Sequence, residues 1–453
     1  MNRISPVAKA AASRLALMAL ILTVVLAGCK KDSKADLDDL LKTVPAEAGM
    51  VAAYNLADIA EKAGCKVDGD KIDLPAELTQ AVASIKDPET KRRVQALLGG
   101  EAGMALTDQV VFASGYHVYI TGLLSDPAKF EAFLSADGKP VSMKEKDGVR
   151  FSRDAAVIGN QFWLLTEGEI DPLDVKSMSE LAENKSFLST GFAQRLTDGD
   201  YTLRGMIATS SPLLGGGSFS KQASQMMVLQ TLFSDAAYID FSVEFRKDKA
   251  ELVASVLNSK FKAAGYNFPV AKVKSDIVKS VAGSGSFGFA VGADGKFVEK
   301  VKAMLSQLGA MGQLYANTIS SIDGTVAFIG DRDPAGEADM KLSGVIKTTG
   351  VNLNALTSTL DMFSLNWRKE ADRLIVSSAS APSGTLTGEA FAKEADGCIL
   401  CVALSGKSLP AGYPFREVVV RLKPSDGGVA LKATASVADT DTPVLLQIIK
   451  DRL

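Results

Sequence analysis

Met50-Val51-Ala52-Ala53-Tyr54-Asn55, followed by Leu56 to Ala63 and closed by Gly64, decides how this chain is read. An apolar run of strand length gives way to a helical period, and glycine then stops the helix. The same opening returns later as Ser286–Val291 (SFGFAV) and Lys296–Leu308. Working outward from these two openings, the later elements also recur in order. A second strand leads into a helix at Tyr116–Leu123 with Pro127–Leu134, and again at Asp339–Lys347 with Leu353–Leu360. Ser125-Asp126-Pro127 supplies a cap and a proline for the first turn of the earlier helix.

A hairpin follows in each series, Gly148–Arg153 with Ala156–Thr166 and Ser364–Arg368 with Arg373–Ser378. Helical polar stretches come next, at Asp174–Leu196 and Leu386–Glu394. Each series adds one strand, Tyr201–Ala208 or Cys398–Leu404. Long alternating hairpins close both: Ala237–Phe245 with Glu251–Leu257, and Glu417–Leu422 with Val429–Val437. Their turns carry Lys247-Asp248-Lys249 and Asp426-Gly427-Gly428. Strand alternation of this kind suits an antiparallel sheet with one covered face. The expectation is therefore an α+β protein of two related halves, residues 43–262 and 270–453, joined near Phe261–Val270. Each half is expected to be a mainly antiparallel sheet with helices covering one face.

Ahead of the body, Arg3, Lys9 and Arg14 precede an apolar run from Leu15 to Leu26 that is too short to span a bilayer. It ends in Leu26-Ala27-Gly28-Cys29, which resembles the lipobox of bacterial lipoproteins. The small residues suit entry to a signal peptidase, and the thiol of Cys29 suits acylation. Residues 1–28 are thus expected to be a cleaved signal peptide, with Cys29 carrying the lipid. Several acyl chains on one residue give stable anchoring where a single chain does not. Residues 29–42 (CKKDSKADLDDLLK) are expected to be a charged tether. Lys30, standing where inner-membrane retention places aspartate, favours the outer membrane by the same resemblance.

Removing the signal takes away three positive charges and no negative ones, so the formal charge goes from −3 to −6. That balance lacks the basic footprint of a nucleic-acid binder. With 47% hydrophobic and 23% charged residues, the composition is that of a globular body.

Val44-Pro45-Ala46-Glu47-Ala48-Gly49-Met50-Val51 resembles the strand entry of an uncharacterised Bacteroidota lipoprotein family, domain-of-unknown-function family 4836. Ser321-Ile322-Asp323-Gly324-Thr325-Val326 and the closing hairpin with its terminal helix Pro443–Leu453 resemble it too. The resemblance implies an outer-membrane lipoprotein and brings no catalytic residue with it.

Candidate chemistry is sparse. His117 is the single histidine, flanked by Tyr116 and Tyr119, and reads as an exposed or hydrogen-bonded strand residue. One histidine without an HExxH motif or a nucleophile elbow gives neither a histidine zinc site nor a triad. Cys398-Ile399-Leu400-Cys401 matches C-x-x-C but lies in an apolar β run, so the pair reads as two small buried hydrophobes pointing to opposite faces. Cys65, after Gly64, is a third thiol whose pairing the sequence leaves open.

Gly283-Ser284-Gly285-Ser286-Phe287-Gly288 has the literal spacing of a dinucleotide loop, but a helix (Ala271–Val281) precedes it and a strand follows. That is the reverse of what pyrophosphate binding needs. Gly215-Gly216-Gly217 with Ser218, Phe219 and Ser220 reads as a linker before a helix, Gln222–Phe233. That helix carries Met226, Met227, Leu229, Leu232 and Phe233 and is expected to pack on the sheet. Asp36-Leu37-Asp38-Asp39-Leu40 and Asp331-Arg332-Asp333 lack a calcium-loop pattern and read as solvated surface.

No catalytic, cofactor or metal residue is therefore assigned. The leading expectation is a non-enzymatic envelope lipoprotein that binds another envelope protein or a glycan, or serves assembly. Two alternatives stay open: a hydrolase using carboxylates alone, such as a glycoside hydrolase, and a carrier of an apolar ligand with a cavity between the halves.

Overall fold

The computed structural model describes residues 34–134, 141–197, 201–215, 227–331, 341–409 and 413–450. Cys29, the signal segment before it and the start of the expected tether lie outside the described residues. The fold begins with α1 (Lys34–Lys42), β1 (Met50–Asn55) and α2 (Leu56–Lys62). A small hairpin, β2 (Lys66–Asp68) with β3 (Lys71–Asp73), leads to α3 (Ala76–Ala83) and α4 (Pro88–Leu98). Then come β4 (Met104–Ser114), β5 (His117–Leu124) and α5 (Pro127–Phe133). Four short strands follow: β6 (Lys144–Lys146), β7 (Val149–Phe151), β8 (Ala155–Ile158) and β9 (Gln161–Leu165). Helices α6 (Pro172–Ser179) and α7 (Ala193–Thr197) precede β10 (Leu203–Ala208), β11 (Tyr238–Phe245) and β12 (Lys249–Leu257).

The chain continues through α8 (Ser275–Lys279), β13 (Ser284–Gly285), β14 (Phe287–Ala293), α9 (Gly295–Leu305) and α10 (Gly309–Ile319). Next are β15 (Ile322–Asp331), β16 (Lys341–Thr348), α11 (Asn354–Met362), β17 (Asn366–Glu370) and β18 (Arg373–Ser377). It ends with β19 (Leu386–Thr387), α12 (Gly388–Ala395), β20 (Leu400–Ser405), β21 (Phe415–Ser425), β22 (Gly428–Val437) and α13 (Val444–Lys450).

Among the described residues, 18 strands form one antiparallel sheet. Its centre is the pairing of β12 with β22, from Lys249 opposite Ser436 to Ser255 opposite Ala430. Outward on one side the order is β11, β10, β1, β4, β5, β9, β8, β7, β6. Outward on the other it is β21, β20, β14, β15, β16, β18, β17. The mixed α+β class and the antiparallel sheet are as the alternation of the strands implies.

Local chemistry sets the element ends. Asn55 caps α2 by accepting from the amide of Asp58 at 2.9 Å, and Asp126 caps α5 by accepting from Ala128 and Lys129, with Pro127 in the first turn. The stretch Ala156–Thr166, expected as one strand, breaks in two because Gly159 takes a positive φ of 60° and turns β8 back onto β9.

Helices cover both faces of the sheet, and this corrects the one-face expectation. On one face of the first half, α2, α5 and α13 bury Leu56, Phe130 and Leu445 against Tyr54, Ile120 and Phe162. On the other, α1 and α6 bury Leu40 and Val175 against Val51, Phe112 and Trp163. Farther along the sheet, α8 and α12 lie over Ala290 and Ala403 and α11 lies over Val326 and Ile346. The physical reason is visible in β1, whose four central residues are all buried; a run without a polar alternate has no solvent face.

Two boundaries also move. From Lys34 onward the expected tether is α1, whose Leu37, Leu40 and Leu41 fall on one helical face and enter the core. The closing helix α13 crosses back: Leu445, Leu446 and Ile449 join the first half's core, and the amide of Val444 donates to the carbonyl of Lys247 at 3.1 Å.

Candidate functional site

At the middle of the sheet the strict alternation of β11, β12, β21 and β22 separates two unlike faces. Directly paired residues share a face, so the registers trace each row across the strands. One row runs Leu203, Val243, Leu252, Ala433, Val420, Val402, Phe289. The next runs Phe241, Ala254, Leu431, Leu422, Leu400, Val291. A third runs Ala250, Ala435, Val418, Leu404, Phe287. Every side chain in these rows is apolar, and the central ones are partly exposed, with Leu252 at 37% and Phe289 at 36%. Among the described residues, the helices stop short of this strip. Helix α13 lies at its β22 end, while Leu229, Leu232 and Phe233 close the other end against Val256, Leu422 and Val429.

The reverse face is ionic. Glu251 bridges Lys249 at 2.9 Å and Lys432 at 3.2 Å, and Arg421 pairs with Glu394 of α12. Burial pushes the Glu251 carboxyl up, but the two lysines outweigh it and hold it below its ordinary range. The other carboxyl groups whose titration is displaced, Asp87, Glu89, Asp331 and Asp439, are held low as well. A cleft of about 310 Å³ lies between α3 and α4, lined by Leu74, Val82, Lys91 and Leu98.

The residues singled out by sequence fall as follows. His117 is exposed at the start of β5, its ring 6.4 Å from that of Tyr119. Gly283–Gly288 follows α8 and runs through β13 into β14, so a helix precedes it and strand follows, as its order implies. A Cβ on Gly285 would sit 2.4 Å from the carbonyl of Gly330, so that glycine serves close strand packing. Of the helix expected at Gln222–Phe233, residues 227–232 are described and helical; Leu229 and Leu232 pack inward, while Met227 is exposed. Met226 and Gly216–Ser220 lie outside the described residues.

Two readings are corrected. Cys398 is not in a strand: a turn at Asp396 and Gly397 separates α12 from β20. Both cysteines therefore enter the same core instead of opposite faces, each fully buried and free. The Cys398 thiol donates to the carbonyl of Glu394 at 3.4 Å, and the interaction between the two thiols lowers the Cys398 pKa and raises that of Cys401. Cys65 is also buried and free, and burial lifts its thiol to about 11.

Asp331 is the second correction. It is 5% exposed rather than solvated, and accepts from the amides of Ser286 at 3.0 Å and Ser383 at 2.6 Å, with Lys407 at 3.2 Å. Arg332 and Asp333 lie outside the described residues. The apolar strip itself was legible only as alternation; which rows adjoin depends on strand partners far apart in the chain.

Among the described residues no group of three or more His, Cys, Asp or Glu is placed to hold a metal ion, and no helix is long and apolar enough to cross a membrane. No protein-family model matches the chain, and no curated protein matches it. Among solved structures, crystal form I of TP0453 aligns at 11% identity over 78% of this chain and 95% of that chain, with a TM-score of 0.28. Crystal form III aligns at 10% identity over 78% and 96%, with a TM-score of 0.29. Similarity at that level carries no argument about fold or activity.

Proposed function

We propose that this chain is an outer-membrane lipoprotein, anchored through lipid on Cys29, whose body binds an apolar ligand along the central strip of its sheet and does no catalysis. The carrying observation is the strip: three adjoining apolar rows over as many as seven strands, left partly open to solvent. Sheet faces of this composition are normally covered, since each Å² removed from water is worth about 25 cal/mol. Exposed apolar patches on this scale mark binding surfaces. The reading favours an acyl chain or similar ligand over a glycan, because the strip presents no hydroxyl, amide or charged side chain to a sugar. Nothing favours the hydrolase alternative, whose acid needs a raised pKa; the displaced carboxyl groups here move down.

The same reading includes an internal duplication. Outward from β12 and β22, eight strands on each side come in matching chain order: β12, β11, β10, β1, β4, β5, β9, β8 against β22, β21, β20, β14, β15, β16, β18, β17. Helices enter at corresponding points, α2 and α9 after the first strands, α5 and α11 after the third. The first series then contributes three strands of the strip and the second four.

The test is binding of a fluorescent long-chain fatty acid. Leu252→Glu and Ala433→Asp place a charge in the central row and should weaken binding at least about tenfold, or about 1.4 kcal/mol. Lys432→Gln on the ionic face should leave it unchanged. Absence of binding by the wild-type protein, or equal binding by the two charge variants with the fold retained by circular dichroism, refutes the reading.

A further inference from the structure

Helix α10 (GAMGQLYANTI) carries no charged residue, although it lies on the surface. Met311, Leu314 and Tyr315 share one helical face with Leu308 a turn earlier, and all four point to solvent. Helix α10 is packed through Gly312, Ala316 and Thr318, the last hydrogen-bonded to Thr359 of α11 at 3.0 Å. Beside it, Met362, Phe363 and Trp367 extend the ridge, with Trp367 donating to Asp361 at 2.9 Å. The seven side chains are between 41% and 71% exposed. The only polar side chains exposed on α10 are Gln313 and Asn317, which pair with each other at 3.1 Å, and an uncharged helix this rich in large apolar residues otherwise buries them.

We infer that this ridge is a membrane-contacting surface, which seats the body on the bilayer and sinks Trp367, Tyr315 and Phe363 into the headgroup boundary. Large apolar side chains with tryptophan and tyrosine among them are the composition of an interfacial element. Charge agrees with an anionic headgroup layer: α9, directly before the ridge, has Lys296, Lys300 and Lys302 against the single Glu299, and Lys369 is exposed after it.

Continuity with the anchor agrees too, and this clause rests on the lipidation of Cys29 proposed above. Four residues separate Cys29 from Lys34, and the five chain steps between them hold α1 within about 17 Å of the lipid. Helix α1 and the ridge lie on opposite faces of the sheet, nine strand steps apart between β4 and β15. A twist of about 20–25° per step turns the sheet normal by roughly half a revolution over that distance. A twist of that size is what would bring the ridge and α1 to one side of the molecule.

The chain's two tryptophans make the test direct. Trp163 is fully buried, so Trp367 is the one a bilayer quencher reaches. The full mature lipoprotein is reconstituted into vesicles of phosphatidylcholine with a minor share of phosphatidylglycerol, with and without brominated acyl chains. Loss of most of the Trp367 emission is expected, with Trp163 emission retained as the check on fold. Met311→Glu with Leu314→Glu should restore the emission, and Trp367→Phe should abolish the quenchable part. Unquenched Trp367 on a protein whose Cys29 carries lipid by mass spectrometry overturns the membrane contact and leaves the anchor standing. Quenched Trp367 on a protein without that lipid does the reverse. Protection of the ridge by self-association in sedimentation, without quenching, assigns it to a second copy and overturns the proposal.

Discussion

Leu40→Ala tests whether the segment after the anchor belongs to the fold. Leu40 is fully buried, in the core where α1 meets Val51, Phe112 and Trp163. Truncation removes three methylene-sized groups at about 0.8 kcal/mol each, or about 2.4 kcal/mol of transfer free energy. The void adds to this, because β4 and β5 are held by hydrogen bonds on both sides and cannot collapse into it. A total of about 3–5 kcal/mol follows. Asp39→Ala, one position earlier, removes an exposed carboxylate paired with Lys42 at 2.6 Å and should cost no more than about 0.5 kcal/mol. Equilibrium urea unfolding of the mature protein measures both. A Leu40→Ala loss below about 0.5 kcal/mol, equal to that of Asp39→Ala, would show that α1 is a tether after all.

The Cys398 and Cys401 pair should be structural: Cys398→Ser and Cys401→Ser each cost about 1–3 kcal/mol in the same assay. Rapid reaction of the folded protein with a thiol reagent contradicts that reading. Acid stability should depend on Glu89, which hydrogen bonding to Arg92, opposed by burial and assisted by Arg93, holds at about 2. Its folded pKa is depressed, so its contribution is present above the ordinary glutamate value and is lost as pH falls toward about 2. Glu89→Gln should flatten the fall in unfolding midpoint between those limits; an unchanged slope refutes the assignment.

Much of the architecture was legible because the interactions that set it are local. Met50–Asn55 is a strand at the residues the sequence marks, and Asp126-Pro127 starts α5 as capping chemistry requires. The long strand β4 (MALTDQVVFAS) escaped notice, since its buried residues fall on both faces and break the alternation that announces a strand. The acids of Asp36–Asp39 masked the leucine face of α1 in the same way. At Cys398 the fault was a boundary, where two residues of turn moved a side chain from one face to the other.

By itself the sequence determined the type and order of most elements and the division of the closing hairpins into one apolar and one ionic face. Those follow from backbone propensity and from periods of two and 3.6 residues, which act over a few neighbours. Tertiary structure alone decided that β12 finds β22, joining Lys432 to Glu251 across 181 positions, and so made one sheet with a continuous apolar strip. It also decided that α13 closes the first half's core, and that Cys398 and Cys401 meet. An edge strand offers its hydrogen bonds to any partner of matching register, and a buried face accepts any apolar helix of the right shape. No local pattern names the partner; the packing of the whole chain selects it.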